Sequence, residues 1–506
     1  MTTRTTFKRS FYQDSVALMG LARELRTGAG VREAAALMGT PANLALMAEA
    51  GLLTDEARAA GPNDLVIVVS AESAGEADAA LARAESLLTA RRARVEASGR
   101  RLPRTLDSAA RQLEGANLAL ISVPGAFAAA EARKALRRGL HVMLFSDNVR
   151  LEDEIALKRF AVARGLLLMG PDCGTAYLNG VPLGFANAVP RGRVGLVATS
   201  GTGLQEVTCL LAAEGEGVSH AIGVGSRDLS DEVGGAMALP ALAALRDDPA
   251  TEVVVVIAKP PGASVVGRLV NTLETLGKPV VLAIMGLHAI PAPRDVHVAS
   301  TLEGAAVIAA GLAARAEPRD LQIPPGDLDD LVEAQARGLA KGQRFVRGLY
   351  SGGTLAWEAV ALLAERLDDV AAGVSGEGKG HRVVDLGGDV FTVGRPHPMI
   401  DGAIRSEWIT REAADPTTAV LLLDVVLGYG AHRDPAGELR PVLEEARRAA
   451  NAAGRGLAMI ASVTGTEQDP QRRSAQVAAL RRAGVAVMDS NAQAARLAAL
   501  VAARVA

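Results

Sequence analysis

The chain has 506 residues with 54 Lys and Arg against 57 Asp and Glu, and this near balance argues against a general affinity for nucleic acid or anionic membranes. Hydrophobic residues make up 49%, aromatic residues 3% and glycine 53 positions, which excludes a disordered chain and favours an α/β protein. Two cysteines, Cys173 and Cys209, exclude a disulfide framework or a thiolate metal site. We therefore expect a cytoplasmic protein of about three domains without a metal site.

Residues 1–60 predict a helical lead-in. The segments DSVALMGLARELRT, VREAAALMGT and PANLALMAEAGLL have helical patterns, with glycines between them. The amino-terminal segment lacks the apolar core of a secretion signal, because Asp14 and Arg23 bracket only eight uncharged residues. The longest apolar runs have the length of strands, so no membrane span is expected.

Residues 61–190 predict a Rossmann-like domain. The runs LVIVVS (65–70), NLALISV (117–123), HVMLFS (141–146) and LLLMG (166–170) alternate with helical segments, which is typical of a parallel sheet. No GxGxxG motif follows the first strand, so the pattern favours the fold but not a bound dinucleotide. Cys173 has no basic neighbour in sequence, and we expect a buried apolar residue rather than a nucleophile.

The second half of the chain contains an internal repeat. RVGLVATSGTGLQEV (193–207) resembles RGLYSGGTLAWEAV (347–360), and three further segment pairs follow in the same order. We interpret them as two doubly wound, flavodoxin-like domains, copy one (residues 191–320) and copy two (residues 341–506), joined by a linker over 321–340. Copy two is longer by 16, 10 and 13 residues in three intervals, and the added loops follow strands. In parallel sheets that edge binds ligands, so the loops predict a site in copy two.

The repeated strand-to-helix turns are candidate anion sites. Their glycines allow a close approach of the backbone, and N–H groups at a helix start favour an anion such as phosphate, a carboxylate or carbamoyl phosphate. An ordinary Ser or Thr helix cap is the alternative for either turn taken singly, and the duplication favours the anion. The predicted phosphate or anion ligands are Ser200, Gly201, Thr202, Ser351, Gly352, Gly353 and Thr354, with Gly387 and Gly388 of a third turn, VVDLGGDV.

The segment GRPHPMID (394–401) predicts catalytic residues. Two prolines restrict the backbone on either side of His397, which can donate or shuttle a proton. Arg395 can hold an oxyanion with two hydrogen bonds, and Asp401 can orient either side chain. A rigid surface loop with a capping aspartate is the alternative.

Further candidate residues lie in the GTEQDPQ loop, at the end of an apolar run and in copy one. In GTEQDPQ (465–471), Glu467 and Gln468 can bind an amide or carboxylate, while Asp469 before Pro470 also suits a helix cap. Asp424 ends an apolar run and either faces the site or is paired internally. Arg227, in a glycine-rich turn, and Lys259, at a strand end, are secondary candidates in copy one.

These motifs resemble two known groups of proteins. The segments GPDCGT, GLVATSGT and DDPATEVVVVI look like the α-subunit of succinyl-CoA synthetase, and VVDLGGDV resembles its β-subunit. The resemblance implies a CoA-binding-type domain followed by two ligase-type flavodoxin-like domains. The synthetase's phosphohistidine turn, Gly-His-Ala-Gly, is missing, since His288 and His297 lack flanking glycines, and no ATP-grasp domain is present.

Nearly the whole chain also resembles the FdrA family, through YQDSVALM (12–19), MGT-x-x-N (38–43), GRPHPMID and GTEQDPQ. This resemblance implies a subunit of oxamate carbamoyltransferase in allantoin breakdown, which exchanges a carbamoyl group between oxalurate and phosphate. The partners would be these small anions and co-encoded subunits in a homo- or hetero-oligomer, and no cofactor would be required.

Under that hypothesis the Ser-Gly turns hold phosphate, Arg395 stabilises developing charge and His397 handles the proton of the attacking amide. Glu467 and Gln468 would orient the amide substrate. The alternatives are an ADP-forming acyl-CoA synthetase, which would use CoA and a nucleotide, and a non-catalytic scaffold subunit.

Overall fold

The chain divides into two units, one formed by residues 1–114 and 392–396 and the other by residues 115–391 and 397–506. The structure is a computed structural model, and it describes all residues except 12, 14, 98–102, 285–294, 320–324, 374–379, 393–395 and 506. None of the helices in this described part combines the length and the apolar character that a membrane crossing requires.

The first unit is a three-stranded antiparallel sheet packed against helices. Its elements are β1 (Thr2–Lys8), α1 (Ser15–Arg26), β2 (Val31–Met38), α2 (Pro41–Glu49), α3 (Asp55–Arg58), β3 (Leu65–Ala71), α4 (Ala74–Ala97) and α5 (Leu106–Gln112). The strand order is β1-β3-β2, and β3 pairs antiparallel with both neighbours. One face of the sheet packs against α1 and α4 through Leu25, Ile67 and Ala84.

The predicted helical lead-in is wrong at β1 and β2. In β2 the side chains of Ala34, Ala36 and Met38 are buried, which is the period of two that a half-buried strand has. Alanine has the highest helix propensity, but pairing with the apolar strand β3 decides the conformation here. The run at 65–70 is therefore the central strand of this antiparallel sheet and not the first strand of a Rossmann-like sheet.

The second unit begins with a short parallel sheet. Its elements are β4 (Leu118–Ile121), α6 (Gly125–Arg137), β5 (His141–Leu144), α7 (Leu151–Val162) and β6 (Leu168–Met169). The strand order β4-β5-β6 and the parallel pairing agree with the predicted alternation of strands and helices. Within the described residues, this CoA-binding-type sheet has three strands.

Copy one forms a seven-stranded sheet in the order β13-β12-β11-β9-β10-β7-β8. Its elements are β7 (Thr175–Leu178), β8 (Val181–Gly184), β9 (Val194–Ala198), α8 (Gly201–Ala213), β10 (Val218–Gly223), α9 (Ala238–Asp247), β11 (Val253–Ala258), α10 (Ala263–Glu274), β12 (Val280–Ile284), β13 (Val296–Val298) and α11 (Leu302–Ala314). The hairpin β7–β8 precedes the predicted domain boundary at residue 190 but joins this sheet, because β7 pairs antiparallel with β10. The helix α12 (Pro325–Ala336) follows.

Copy two forms a six-stranded parallel sheet in the order β15-β16-β14-β17-β18-β19. Its elements are β14 (Phe345–Tyr350), α13 (Gly353–Ala364), β15 (Val370–Ala372), β16 (His381–Asp385), α14 (Asp389–Thr392), α15 (Ala403–Ala414), β17 (Thr418–Val426), α16 (Pro435–Ala452), β18 (Ala458–Thr464), α17 (Arg473–Arg482), β19 (Ala486–Met488) and α18 (Asn491–Val505). The predicted pair of doubly wound parallel-sheet domains is confirmed.

The two copies pack against each other through reciprocal contacts. Glu206 is the sixth residue of α8 and accepts a hydrogen bond of 3.0 Å from the backbone N–H of Asn491, which begins α18. Glu358 is the sixth residue of α13 and accepts one of 2.7 Å from the backbone N–H of Leu302, which begins α11. Each copy thus caps a helix of the other, and one apolar core spans both.

Candidate functional site

The two repeated Ser-Gly turns meet in the second unit. The Thr354 hydroxyl at the start of α13 donates a hydrogen bond of 2.5 Å to the Ser200 hydroxyl, which precedes α8. A Cβ atom placed on Gly352 would lie 3.0 Å from the Thr202 hydroxyl, so a side chain there would separate the turns. We call this region the turn cluster; it consists of Ser200–Gly203, Ser351–Thr354, Gly387, Gly388, His397 and Asp424.

In copy one the turn is a helix cap. The Ser200 hydroxyl accepts a hydrogen bond of 3.0 Å from the backbone N–H of Gly203. Gly201 and Thr202 occupy the first two helical positions, whose N–H groups have no partner within an α-helix. Since the positive end of the helix dipole lies there, this turn suits an external anion.

In copy two the turn binds an internal anion, the carboxylate of Asp424 at the carboxyl-terminal part of β17. The backbone N–H groups of Ser351 and Gly352 each donate to this carboxylate at 2.8 Å, and the Ser351 hydroxyl donates at 3.0 and 3.1 Å. Asp424 and Arg405 of α15 are both buried and form an ion pair of 3.0 Å. Of the two alternatives for Asp424, the structure therefore has the internal pair.

His397 lies beside the glycine turn after β16. A Cβ atom placed on Gly387 would collide with the Ser351 carbonyl oxygen and lie 2.6 Å from His397 Nε2. Burial lowers the pKa of His397 to about 4. The backbone N–H of Met399 donates to Nδ1 at 3.2 Å, which leaves the ring proton on Nε2, the nitrogen that faces Gly387. This arrangement can stabilise a developing negative charge.

The remaining candidates in copy two serve the local backbone. The buried Asp401 accepts a hydrogen bond of 2.9 Å from the backbone N–H of Ala403 at the start of α15. Glu467 is exposed and accepts from the backbone N–H and hydroxyl of Ser474 at 3.0 and 2.9 Å; this N–H hydrogen bond is the main cause of its lowered pKa. Gln468 is exposed next to it. Arg395 lies outside the described residues.

Asp469 is the buried carboxylate of the GTEQDPQ loop. Its carboxylate accepts hydrogen bonds from Asn187 Nδ2 at 2.8 Å and from the backbone N–H groups of Ala188 and Thr466 at 2.7 Å. The loop thus holds the segment before copy one against copy two. Its exposed members, Glu467 and Gln468, are the ones that a ligand from solvent can reach.

The secondary candidates of copy one lie apart from the turn cluster or at its periphery. Arg227 forms a 2.8 Å ion pair with the buried Glu154 and donates to the Val149 carbonyl, so it stabilises the packing of α7. Lys259 follows β11, and its ammonium lies 5.6 Å from the ring centroid of Trp357 on α13.

Three buried glutamates were not identified from the sequence. Burial raises the pKa of Glu358 to about 7 and also raises the pKa of Glu206 and of Glu303. Glu303 Oε1 accepts a hydrogen bond of 2.5 Å from Gln493 Nε2, which is a further contact between the copies. Two of them could have been identified from the sequence, because Glu206 and Glu358 occupy the same position in two apolar helices of the repeat.

Cys173 is a buried thiol. Burial raises the pKa of the Cys173 thiol to about 12, so a thiolate is not populated near neutral pH, as expected for a buried apolar residue. The described part of the chain has no group of three or more His, Cys, Asp or Glu side chains placed to hold a metal ion.

Comparisons with known proteins match both ends of the chain. Residues 1–103 match the AllF heavy-metal-associated domain, and residues 349–501 match the CoA-ligase family. The uncharacterized protein YahF of Escherichia coli (strain K12) is 37% identical over 501 residues, which cover 97% of each chain.

Other similarities are local or distant. A Staphylococcus epidermidis succinate–CoA ligase [ADP-forming] subunit alpha is 30% identical over 194 residues, 38% of this chain and 63% of the subunit. The solved structure of Ca. Korarchaeum cryptofilum dinucleotide forming acetyl-coenzyme A synthetase 1, in complex with phosphate and ADP, shares 15% identity at a TM-score of 0.29, over 77% of this chain and 83% of that chain.

Proposed function

Since the chain belongs to the FdrA/AllF-like family of YahF, we propose that it is a carbamoyltransferase subunit acting in allantoin degradation. It would exchange a carbamoyl group between oxalurate and phosphate, giving oxamate and carbamoyl phosphate. The observation that supports this reaction is the turn cluster, which contains both a helix start suited to an anion and a neutral histidine that can donate a hydrogen bond.

The reaction needs charge stabilisation and proton transfer, and the turn cluster offers groups for the first. The phosphate of carbamoyl phosphate would bind the N–H groups at the start of α8, next to Ser200. His397 Nε2–H would stabilise the carbonyl oxygen as it becomes negative. The nitrogen of oxamate attacks the carbamoyl carbon, the bond from that carbon to the phosphate oxygen breaks, and the departing phosphate takes the nitrogen's proton.

The lowered pKa of His397 changes the role that the sequence suggested. A histidine with a pKa of about 4 is neutral at pH 7, and its Nδ1 already accepts from Met399. It therefore acts as a hydrogen-bond donor in this proposal and not as the base for the attacking amide. Arg395 keeps its predicted role of stabilising charge, and Glu467 and Gln468 keep theirs of orienting the amide.

The test combines the purified chain, with and without its co-encoded neighbours, with carbamoyl phosphate and oxamate in the absence of CoA and ATP. We expect release of phosphate and formation of oxalurate, measured by mass spectrometry. His397→Leu should lower the rate by about 10²-fold or more, the usual cost of losing one oxyanion donor. His297→Leu, on the exposed part of β13, is the matched control. A wild-type rate in His397→Leu would remove His397 from the mechanism.

Acyl-CoA ligation is the second candidate, supported by the CoA-ligase match over residues 349–501. The same assay, repeated with CoA and ATP added, separates the two reactions. Phosphate release that requires both CoA and ATP would identify a ligase and would contradict carbamoyl transfer. A chain that has neither activity but raises the activity of its co-encoded neighbours would be a scaffold subunit.

A further inference from the structure

A small apolar cavity of about 300 Å³ lies in copy two between α13 and the strands β15 and β16. Trp357 and Val360 of α13, Val383 of β16 and Phe391 of α14 line it, so most of its wall is hydrocarbon. This volume is at the lower end of the range for small-molecule sites and suits a short apolar group.

The cavity adjoins the turn cluster. Gly388 and Asp385 line the cavity, and the Asp385 carboxylate also accepts a hydrogen bond of 3.0 Å from the backbone N–H of Gly387. Gly387 in turn contacts His397. A ligand whose reacting group lies at the turn cluster can therefore extend an apolar substituent into the cavity.

The rim of the cavity carries a cation from copy one. The Trp357 side chain is 46% exposed, which makes it one of the most exposed large apolar side chains described, and the Lys259 ammonium lies 5.6 Å from its ring centroid. Lys259 forms no ion pair with any residue in the described ranges. A ligand carboxylate is attracted towards the ammonium of Lys259.

We infer that the cavity holds the apolar substituent of a carboxylate-bearing amide, whose carboxylate pairs with Lys259 at the rim. The inference rests on the proposed function for the identity of the reacting group, and it names the acceptor class as N-substituted oxamates and related amide acids. Oxamate itself would leave the cavity empty.

Binding of two probes, oxamate and N-butyloxamate, tests this assignment. We expect N-butyloxamate to bind about tenfold more tightly or better, because its butyl group leaves water. Calorimetry gives the affinity, and the emission of Trp357 should shift as the butyl group covers it. The chain has two tryptophans, so the loss of the shift in Trp357→Phe assigns the signal.

Two variants separate the parts of the site. Val360→Phe fills the cavity and should bring the two probes to nearly equal affinity. Lys259→Ala should weaken both carboxylate probes but not N-butylacetamide, while Lys341→Ala, an exposed lysine elsewhere, should change neither. Equal affinity of the two probes in the wild-type chain, or an unchanged preference in Val360→Phe, would overturn the assignment.

The outcome is separable from that of the carbamoyl transfer assay. A butyl preference in a chain without transfer activity keeps the cavity as an amide-acid site and removes the reaction. Transfer to oxamate without a butyl preference keeps the reaction and removes the cavity from it.

Discussion

Copies one and two use the same Ser-Gly turn for different purposes. In copy one, Ser200 caps its own helix, and the first N–H groups of α8 are left for another acceptor. In copy two, the N–H groups of Ser351 and Gly352, directly before α13, hold the carboxylate of Asp424. Aligning Asp248 with Asp415 places Ile257 opposite Asp424, so one residue on the neighbouring strand makes the difference.

A turn motif in the sequence does not by itself show whether its N–H groups are free to bind a ligand. A Ser-Gly turn before a helix offers hydrogen-bond donors, but the adjacent strand decides whether an external anion can reach them. The Ile257 side chain has no acceptor atom for copy one's turn, whereas the Asp424 carboxylate accepts from the N–H groups of Ser351 and Gly352 in copy two. The copy-one turn is therefore the better candidate for phosphate.

Removal of Asp424 should destabilise the chain more than any other single change in the two turns. Asp424→Ala leaves two backbone N–H groups and the buried Arg405 without their acceptor, and the free energy of unfolding should fall by about 3–5 kcal/mol. Urea unfolding, followed by the fluorescence of the buried Trp408, measures this change. Ile257→Val in copy one is the control and should cost about 1 kcal/mol.

The double variant Asp424→Ile with Arg405→Leu gives copy two the apolar character of copy one. Because no buried charge is left alone, it should lose less stability than Asp424→Ala. A loss equal to the sum of two independent single effects would contradict a coupled pair.

The buried glutamates predict how stability depends on pH. The pKa of Glu358 is about 7 in the folded chain against a usual 4.5, so folding favours its protonated form. Its contribution is fully present below about pH 4.5 and is lost as the pH rises towards 7, by at most about 1.4 kcal/mol per pH unit. Urea unfolding at pH 5 to 8 measures it.

Glu358→Gln should flatten that decline, and Glu206→Gln tests the symmetric position. The pKa of Glu206 is raised in the same direction by burial, so its removal should also reduce the pH dependence. An unchanged slope in both variants would show that these carboxyl groups do not titrate in this range.

Replacing the serine of each turn with alanine should change the free energy of unfolding least. Ser351→Ala removes a hydroxyl that donates to a charged carboxylate and should cost about 1.5–3 kcal/mol. Ser200→Ala removes a helix cap and should cost about 1 kcal/mol. Urea unfolding of both variants measures the difference, and a larger loss for Ser200→Ala would reverse the roles that the structure gives these turns.

The repeat could be predicted from sequence because its strands are continuous apolar runs. Buried parallel strands such as Val253–Ala258 need no alternation, so their positions are clear without a partner. The strand Val31–Met38 could not be identified in this way. Its alanines favour a helix locally, and only pairing with β3 makes it a strand.

The candidate site was predictable where the motif itself supplies the groups. Ser200, Ser351 and Gly387 could be located from glycine-containing turns after predicted strands, and the structure brings them together. Arg405 could not be found, because it lies on a helix with no motif and becomes important only through a contact with Asp424, nineteen positions away. Such partners are set by tertiary packing alone.

The exchanged helix caps have a consequence for how the two copies stay together. Glu206 accepts a hydrogen bond from the N–H of Asn491 at the start of α18, and Glu358 accepts one from the N–H of Leu302 at the start of α11. Each copy therefore supplies the acceptor for the first N–H group of a helix in the other copy. The copies therefore resemble two subunits of a dimer that share one chain. The connecting segment acts as a tether that raises their effective concentration, while the side chains set their register.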